Sequence, residues 1–181
     1  MAAGDDSRGE MMETNSCIAV YRNRDRLNSS VLALVRNYDG KRKISVIGEA
    51  TKEDGNRLSG IYSVEKRVQV LEAEVPFWKF LAEHLEGGMA WIVRPHSYVM
   101  VGALVPILEM VMKEEGGSDK SDTIGKILSL IGVTYGSVLR YKNAIDSGEC
   151  LVVVHGSQSD VERAYHLLRE TKPQDIAIHL A

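Results

Sequence analysis

The stretch RYKNAIDSGECLVVVHGSQSDVERAYHLLRE, residues 140–170, carries a helix end, a glycine stop, a strand and a second helix without a break. Its centre, ECLVVVHG (149–156), is an uninterrupted apolar run, as expected of a strand in a sheet covered on at least one face. Behind it Ser159 and Glu162 stand at capping-box spacing. Val161, Ala164, Tyr165 and Leu168 then recur at i, i+3, i+4 and i+7, which predicts a helix. Pro173 prevents its continuation, and DIAIHL (175–180) alternates as a closing strand. Ahead of the strand, Thr134 is placed to cap a helix that turns Val138, Tyr141 and Ile145 inward, turns Arg140 away, and ends at Gly148.

The same order occurs near the other end. CIAVYR (17–22) reads as a strand, Asn23 or Asp25 can cap a helix with Leu27, Val31, Leu34 and Val35 on one face, and KISVIGEA (43–50) follows the Asp39-Gly40 turn as another strand. Two β-α-β units predict an α+β fold, a ferredoxin-like duplicated sandwich with the sheet on one side and helices on the other.

Between them lies an expected central helical insertion, at about 65–132. GIYSV (60–64) suggests a short strand, and Val64, Val68, Leu71 and Val75 keep helical spacing up to Pro76, which suits the first turn of the next helix. Phe77, Phe80, Leu81 and Leu85 form an apolar face before Gly87-Gly88. GMAWIVRPHSYVMVGALVPILEMVMK (88–113) reads as strand, then helix; its longest charge-free run, SYVMVGALVPIL, has 12 residues, against the roughly 20 needed to span a bilayer. EEGGSDKSD (114–122) reads as a polar linker, and Ile124, Ile127, Leu128 and Ile131 as a short helix closed by Gly132.

With 181 residues, 44% hydrophobic and 26% charged, the chain fits one α+β domain over 17–181 behind a disordered acidic tail at 1–16. A chain of this size buries roughly 70% of its unfolded surface and needs neither disulfide nor metal. The net charge of −3 argues against nucleic acid as a partner. Cys17 and Cys150, the two cysteines, have no metal or redox spacing and read as buried, reduced thiols of a cytoplasmic protein. The first residues show no apolar core of signal-peptide length.

The string IGVTYGSVLRYKNAIDSGECLVVVHGSQSDVERAYHLL (131–168), with ISVIGEA (44–50) and SGIYSVEKR (59–67), resembles the bacterial general-stress protein family, uncharacterised glycine-zipper membrane-associated proteins. The resemblance runs from about Ile18 to Ile178. It implies glycines at helical spacing after the GIYS strand, which let helices approach closely in or on a membrane. This chain departs from that pattern: RVQVLEAEVPFWKFLAEHLEGG (67–88) carries Glu72, Glu74, Lys79, Glu83, His84 and Glu86 there. Each charge at mid-bilayer costs on the order of 2.5–3.5 kcal/mol. The expectation is a variant without the membrane segment.

Candidate sites are few. His155 ends a strand, where open sheets often present ligands. The other histidines, at 84, 96, 166 and 179, have no metal-ligand spacing, so no metal and no cofactor is expected. No nucleophile elbow or phosphate-binding loop is present. Cys150 and His155 are five residues apart on one strand and so face opposite ways, which excludes a thiol-imidazole pair. Residues 17–45 hold seven basic side chains, Arg22, Arg24, Arg26, Arg36, Lys41, Arg42 and Lys43, against two acidic ones. Lys41, Arg42, Lys43, Arg140 and His155 are therefore the candidate residues for an anionic small ligand, and the basic stretch for an anionic membrane surface at its inner face. Phe77, Trp78, Phe80 and Trp91 form the densest aromatic zone and are candidate interface residues. The function expected is that of a non-enzymatic, stress-associated, self-assembling α+β protein; the alternatives are a regulator binding an anionic metabolite or nucleotide and a peripheral membrane protein.

Overall fold

A computed structural model describes residues 15–37, 43–49, 75–92, 98–114 and 123–181, with backbone alone at Val75, Trp91, Ile92 and Glu114. The elements are β1 (Asn15–Tyr21), α1 (Arg24–Asn37), β2 (Ile44–Glu49), α2 (Val75–His84), β3 (Met89–Ile92), β4 (Tyr98–Gly102), α3 (Val105–Glu114), α4 (Thr123–Leu130), α5 (Tyr135–Asp146), β5 (Cys150–Gly156), α6 (Gln158–Arg169) and β6 (Asp175–His179). The strands form one six-stranded sheet in the order β3-β4-β2-β5-β1-β6, antiparallel at every junction. The fold is α+β.

Each β-α-β unit is split. Strands β1 and β2 run parallel with β5 inserted between them, while β5 and β6 run parallel with β1 between them. Two crossovers therefore interlock, and each fills the gap left by the other.

Side-chain alternation sorts the strands onto two faces. Cys17, Ala19, Ile44, Val46, Val99, Val101, Val152 and Val154 meet α1, α2 and α6 through Leu27, Val31, Leu34, Trp78, Leu81, Val161, Ala164 and Leu168. Ile18, Val20, Ile47, Met100, Leu151 and Val153 meet α3, α4 and α5 through Leu108, Ile127, Leu128, Val138, Tyr141 and Ile145. The single helical layer expected from sequence is thus two. Strands β1, β2 and β5 are buried on both faces, which is why their sequences are nearly continuous apolar runs.

Local signals explain the element ends. Asn23 Oδ1 accepts from the Arg26 amide and caps α1. The cap of α6 is Ser157, two residues before the serine expected: its hydroxyl accepts from the Asp160 amide, and the Asp160 carboxylate accepts from the Ser157 amide. Strand β5 runs on to Gly156, so Ser157 is the first residue free to cap. Thr134 precedes α5 in extended conformation but makes no side-chain cap bond.

The central region holds more strand than expected. Met89–Ile92 pairs with Tyr98–Gly102, so one predicted strand becomes a β3-β4 pair extending the sheet beyond β2. Asn15 and Ser16, placed in the tail by sequence, belong to β1. The remainder of the tail, the GIYSV strand, the helical spacing through Val64 to Leu71 and most of the 114–122 linker lie outside the described residues.

Candidate functional site

Of the anion site expected around Lys41, Arg42, Lys43 and His155, the described residues include Lys43 and His155, which lie on opposite faces of the sheet. Lys41 and Arg42 lie outside the described residues. The Lys43 ammonium donates to Asp160 Oδ2 at 2.7 Å, on the α6 side of the sheet. Burial raises the Asp160 pKa, but hydrogen bonds from Lys43 and Ser157 outweigh it and hold the carboxyl below its usual value. The positive end of the α6 dipole is thereby met by a carboxylate of the chain itself. Gly156 is tightly enclosed by this pair: a Cβ there would lie 2.8 Å from Asp160 Oδ2 and 3.2 Å from Lys43 Nζ. His155, half-buried, alternates onto the opposite, α5-facing side.

The basic helix is also engaged by the protein. Arg22 Nε donates to Glu149 Oε1 at 2.7 Å, and the Arg24 guanidinium stacks 4.3 Å from the centre of the Phe77 ring. Among the aromatic candidates, Phe77 and Phe80 are half-buried against the core. Trp78 is only 1% exposed, so it is a core residue and not a surface anchor. The side chain of Trp91 lies outside the description.

A different cluster does assemble, on the α5 side of β1, β5 and β6. Ser16 on β1 stands in register with His155 on β5 and with His179 on β6. Ser16 is fully buried, and its hydroxyl has no hydrogen-bond partner among the described residues. His179 reaches α5, where its Nε2 is 2.6 Å from the Tyr141 hydroxyl. Arg140 donates to that same hydroxyl at 3.2 Å, its guanidinium 5.0 Å from the Tyr141 ring centre, and its Nε lies 3.6 Å from Asp175 Oδ2. Arg140 can only donate, so the Tyr141 oxygen accepts from it, and the direction of the Tyr141–His179 bond follows the His179 tautomer.

Burial and then the Arg140 charge depress the pKa of His179, with Asp175 opposing them. Burial raises that of Tyr141. In the folded chain His179 thus takes up a proton at lower pH than the ordinary value of 6.5. Below about pH 6.5 the unfolded chain binds this proton first, so stability is lost as pH falls from there toward the folded pKa. Urea denaturation at pH 7.5 and 5.5 is expected to show a smaller drop in His179→Gln than in the wild type; equal drops would contradict the lowered pKa of His179.

Sequence reasoning placed Tyr141 inward and Arg140 outward, as found, but missed Ser16, Asp175 and His179. Nothing local links these residues, because strand order brings them together. Among the described residues no group of three His, Cys, Asp or Glu is placed to hold a metal ion, and no helix is long and apolar enough to cross a membrane. Comparisons of the chain with family models, curated proteins and solved structures find no match.

Proposed function

We propose that this chain is a non-enzymatic, self-assembling α+β protein that works as a homo-oligomer in the cytoplasm. The observation that carries the reading is the β6 edge. Both faces of the sheet are packed under helices, yet among the described residues β6 borders only β1, and all five of its residues are half-exposed. An open edge presents unpaired backbone N–H and C=O groups and is a ready template for another strand. Exposed Tyr135 and Leu139, one turn apart on α5, add apolar surface outside the core.

We read the subset β6-β1-β5-β2, backed by α1 and α6, as the ferredoxin-like scaffold of this assembly. The stress-associated setting rests on the family resemblance alone, and the absence of catalytic motifs supports the non-enzymatic reading. The anionic-ligand alternative is weakened by the Lys43–Asp160 pair, which occupies one of its cations. Sedimentation velocity of the purified full chain at micromolar concentration is expected to show a defined oligomer. A monomer at that concentration overturns the reading.

A further inference from the structure

We infer that β6 pairs antiparallel with β6 of a second copy about a two-fold axis at Ala177, joining two sheets into one. The inference rests on the assembly reading above and names its surface. The strand reads Asp175-Ile176-Ala177-Ile178-His179. Paired with itself in that register, Asp175 faces the partner's His179, Ile176 faces the partner's Ile178, and Ala177 faces its own copy. The sequence is self-complementary, a carboxylate opposite an imidazole and one isoleucine opposite another, as a two-fold contact requires. Directly opposed side chains on one face of an antiparallel pair lie close enough to interact, whether by hydrogen bond or by apolar contact.

The geometry of the protomer suits this contact. Helix α5 packs over β2 and β5 and reaches the same side of β6 through Tyr141 and Arg140, which leaves the Asp175 side chain 43% exposed. Asp175, Ala177 and His179 share that side, being opposite Val20, Ile18 and Ser16 on β1. Tyr141 holds the His179 ring through Nε2 and leaves Nδ1 for the partner's carboxylate, to which it donates when it carries the proton. The Arg140–Asp175 separation of 3.6 Å is beyond hydrogen-bond length, so the Asp175 carboxylate keeps its acceptor capacity. A lone acidic residue on an edge ordinarily discourages strand addition. Here it excludes foreign strands and admits one that brings a histidine opposite.

A cysteine scan tests the register. Opposed residues of antiparallel strands have Cα atoms about 4.5–5.5 Å apart, inside the about 4.4–6.8 Å range a disulfide bridges. Ala177→Cys is therefore expected to yield a covalent dimer as the main species under mild oxidation on non-reducing gels. Asp175→Cys places its two copies four residues out of register, about 14 Å apart along the strands, and is expected to remain uncrosslinked. Background reaction is low because Cys17 and Cys150 are buried, the Cys17 thiol pushed up to about 12. Crosslinking of Asp175→Cys as readily as Ala177→Cys, or of neither in a protein that sediments as an oligomer, overturns the register while leaving assembly standing. A monomer with no crosslink overturns both.

Discussion

Replacing Trp78 with alanine is expected to lower the unfolding free energy by about 3–5 kcal/mol, the usual range for truncating a large aromatic side chain in a packed core. The ring is 1% exposed and packs edge-on against Phe77 at 4.8 Å. The rest of the core is shaped around it: a Cβ at Gly48 would come within 2.9 Å of the indole and 2.7 Å of Cys150 Sγ. Strand β2 carries a glycine there because the indole occupies the space. The indole Nε1 has no hydrogen-bond partner among the described residues, so Trp78→Phe loses volume but also removes a buried orphan donor. Its cost should be less than half that of alanine. Urea denaturation of both variants checks this, with about 2–4 °C of Tm expected per kcal/mol in a chain of this size. Were Trp78 the interface residue its sequence context suggests, alanine would instead dissociate the oligomer and leave protomer stability unchanged.

Trp78 also shows where sequence reading stops. Phe77, Phe80, Leu81 and Leu85 fit one helical face, and Trp78 falls outside it. In the structure Trp78, Leu81 and Leu85 are buried while Phe77 and Phe80 flank them. The face is rotated because α2 meets both the sheet and α1, where Arg24 stacks on Phe77. Periodicity gives the existence of an apolar face; the neighbouring element decides its centre. The β3-β4 pair escaped for a related reason, since short apolar runs of both periods cannot be told apart without their partners. By contrast β5, α6 and α1 were legible, because a long apolar run, a proline stop and an asparagine cap are local signals.

The cluster at β6 lay beyond local reading altogether. Ser16 and His179 are adjacent only because β1 pairs with β6, and Asp175 meets Arg140 only because α5 packs on that side. What the sequence did contain is the DIAIH palindrome of chemistry, an acid and a histidine equidistant from an alanine. Its meaning depends on knowing that this strand is an edge. A central strand with the same residues would have its Asp175 and His179 buried, and their pairing would be a matter for the core. On an edge, the same residues face the position that an added strand would take.

Gly102 is the second position where a single added methyl group should have a large effect. It ends β4 at φ +110°, in the positive-φ region that side-chain-bearing residues rarely adopt, and a Cβ would sit 2.3 Å from Ile44 O and 3.0 Å from Ser45 Cα. The neighbours are backbone of the buried strand β2 and cannot turn aside as a side chain tip can. Three successive amides are bonded at this junction: Gly102 to Gly88 O, Ala103 to Ile44 O and Leu104 to Ser45 Oγ, at 2.9–3.0 Å. They turn the chain from the sheet into α3, so a displaced Gly102 loosens the whole layer that α3 begins. Gly102→Ala is therefore expected to cost about 3 kcal/mol or more, combining ~1–3 for backbone strain with ~1–3 for overpacking. Faster hydrogen exchange at Ala103 and Leu104 should accompany the loss. The control is Gly136→Ala on exposed α5, where an added Cβ meets nothing within 4 Å and φ is not positive. There alanine should raise stability by roughly 0.5–1 kcal/mol through helix propensity. Equal effects at the two glycines would mean that the β4-to-α3 junction does not have the tight approach seen here.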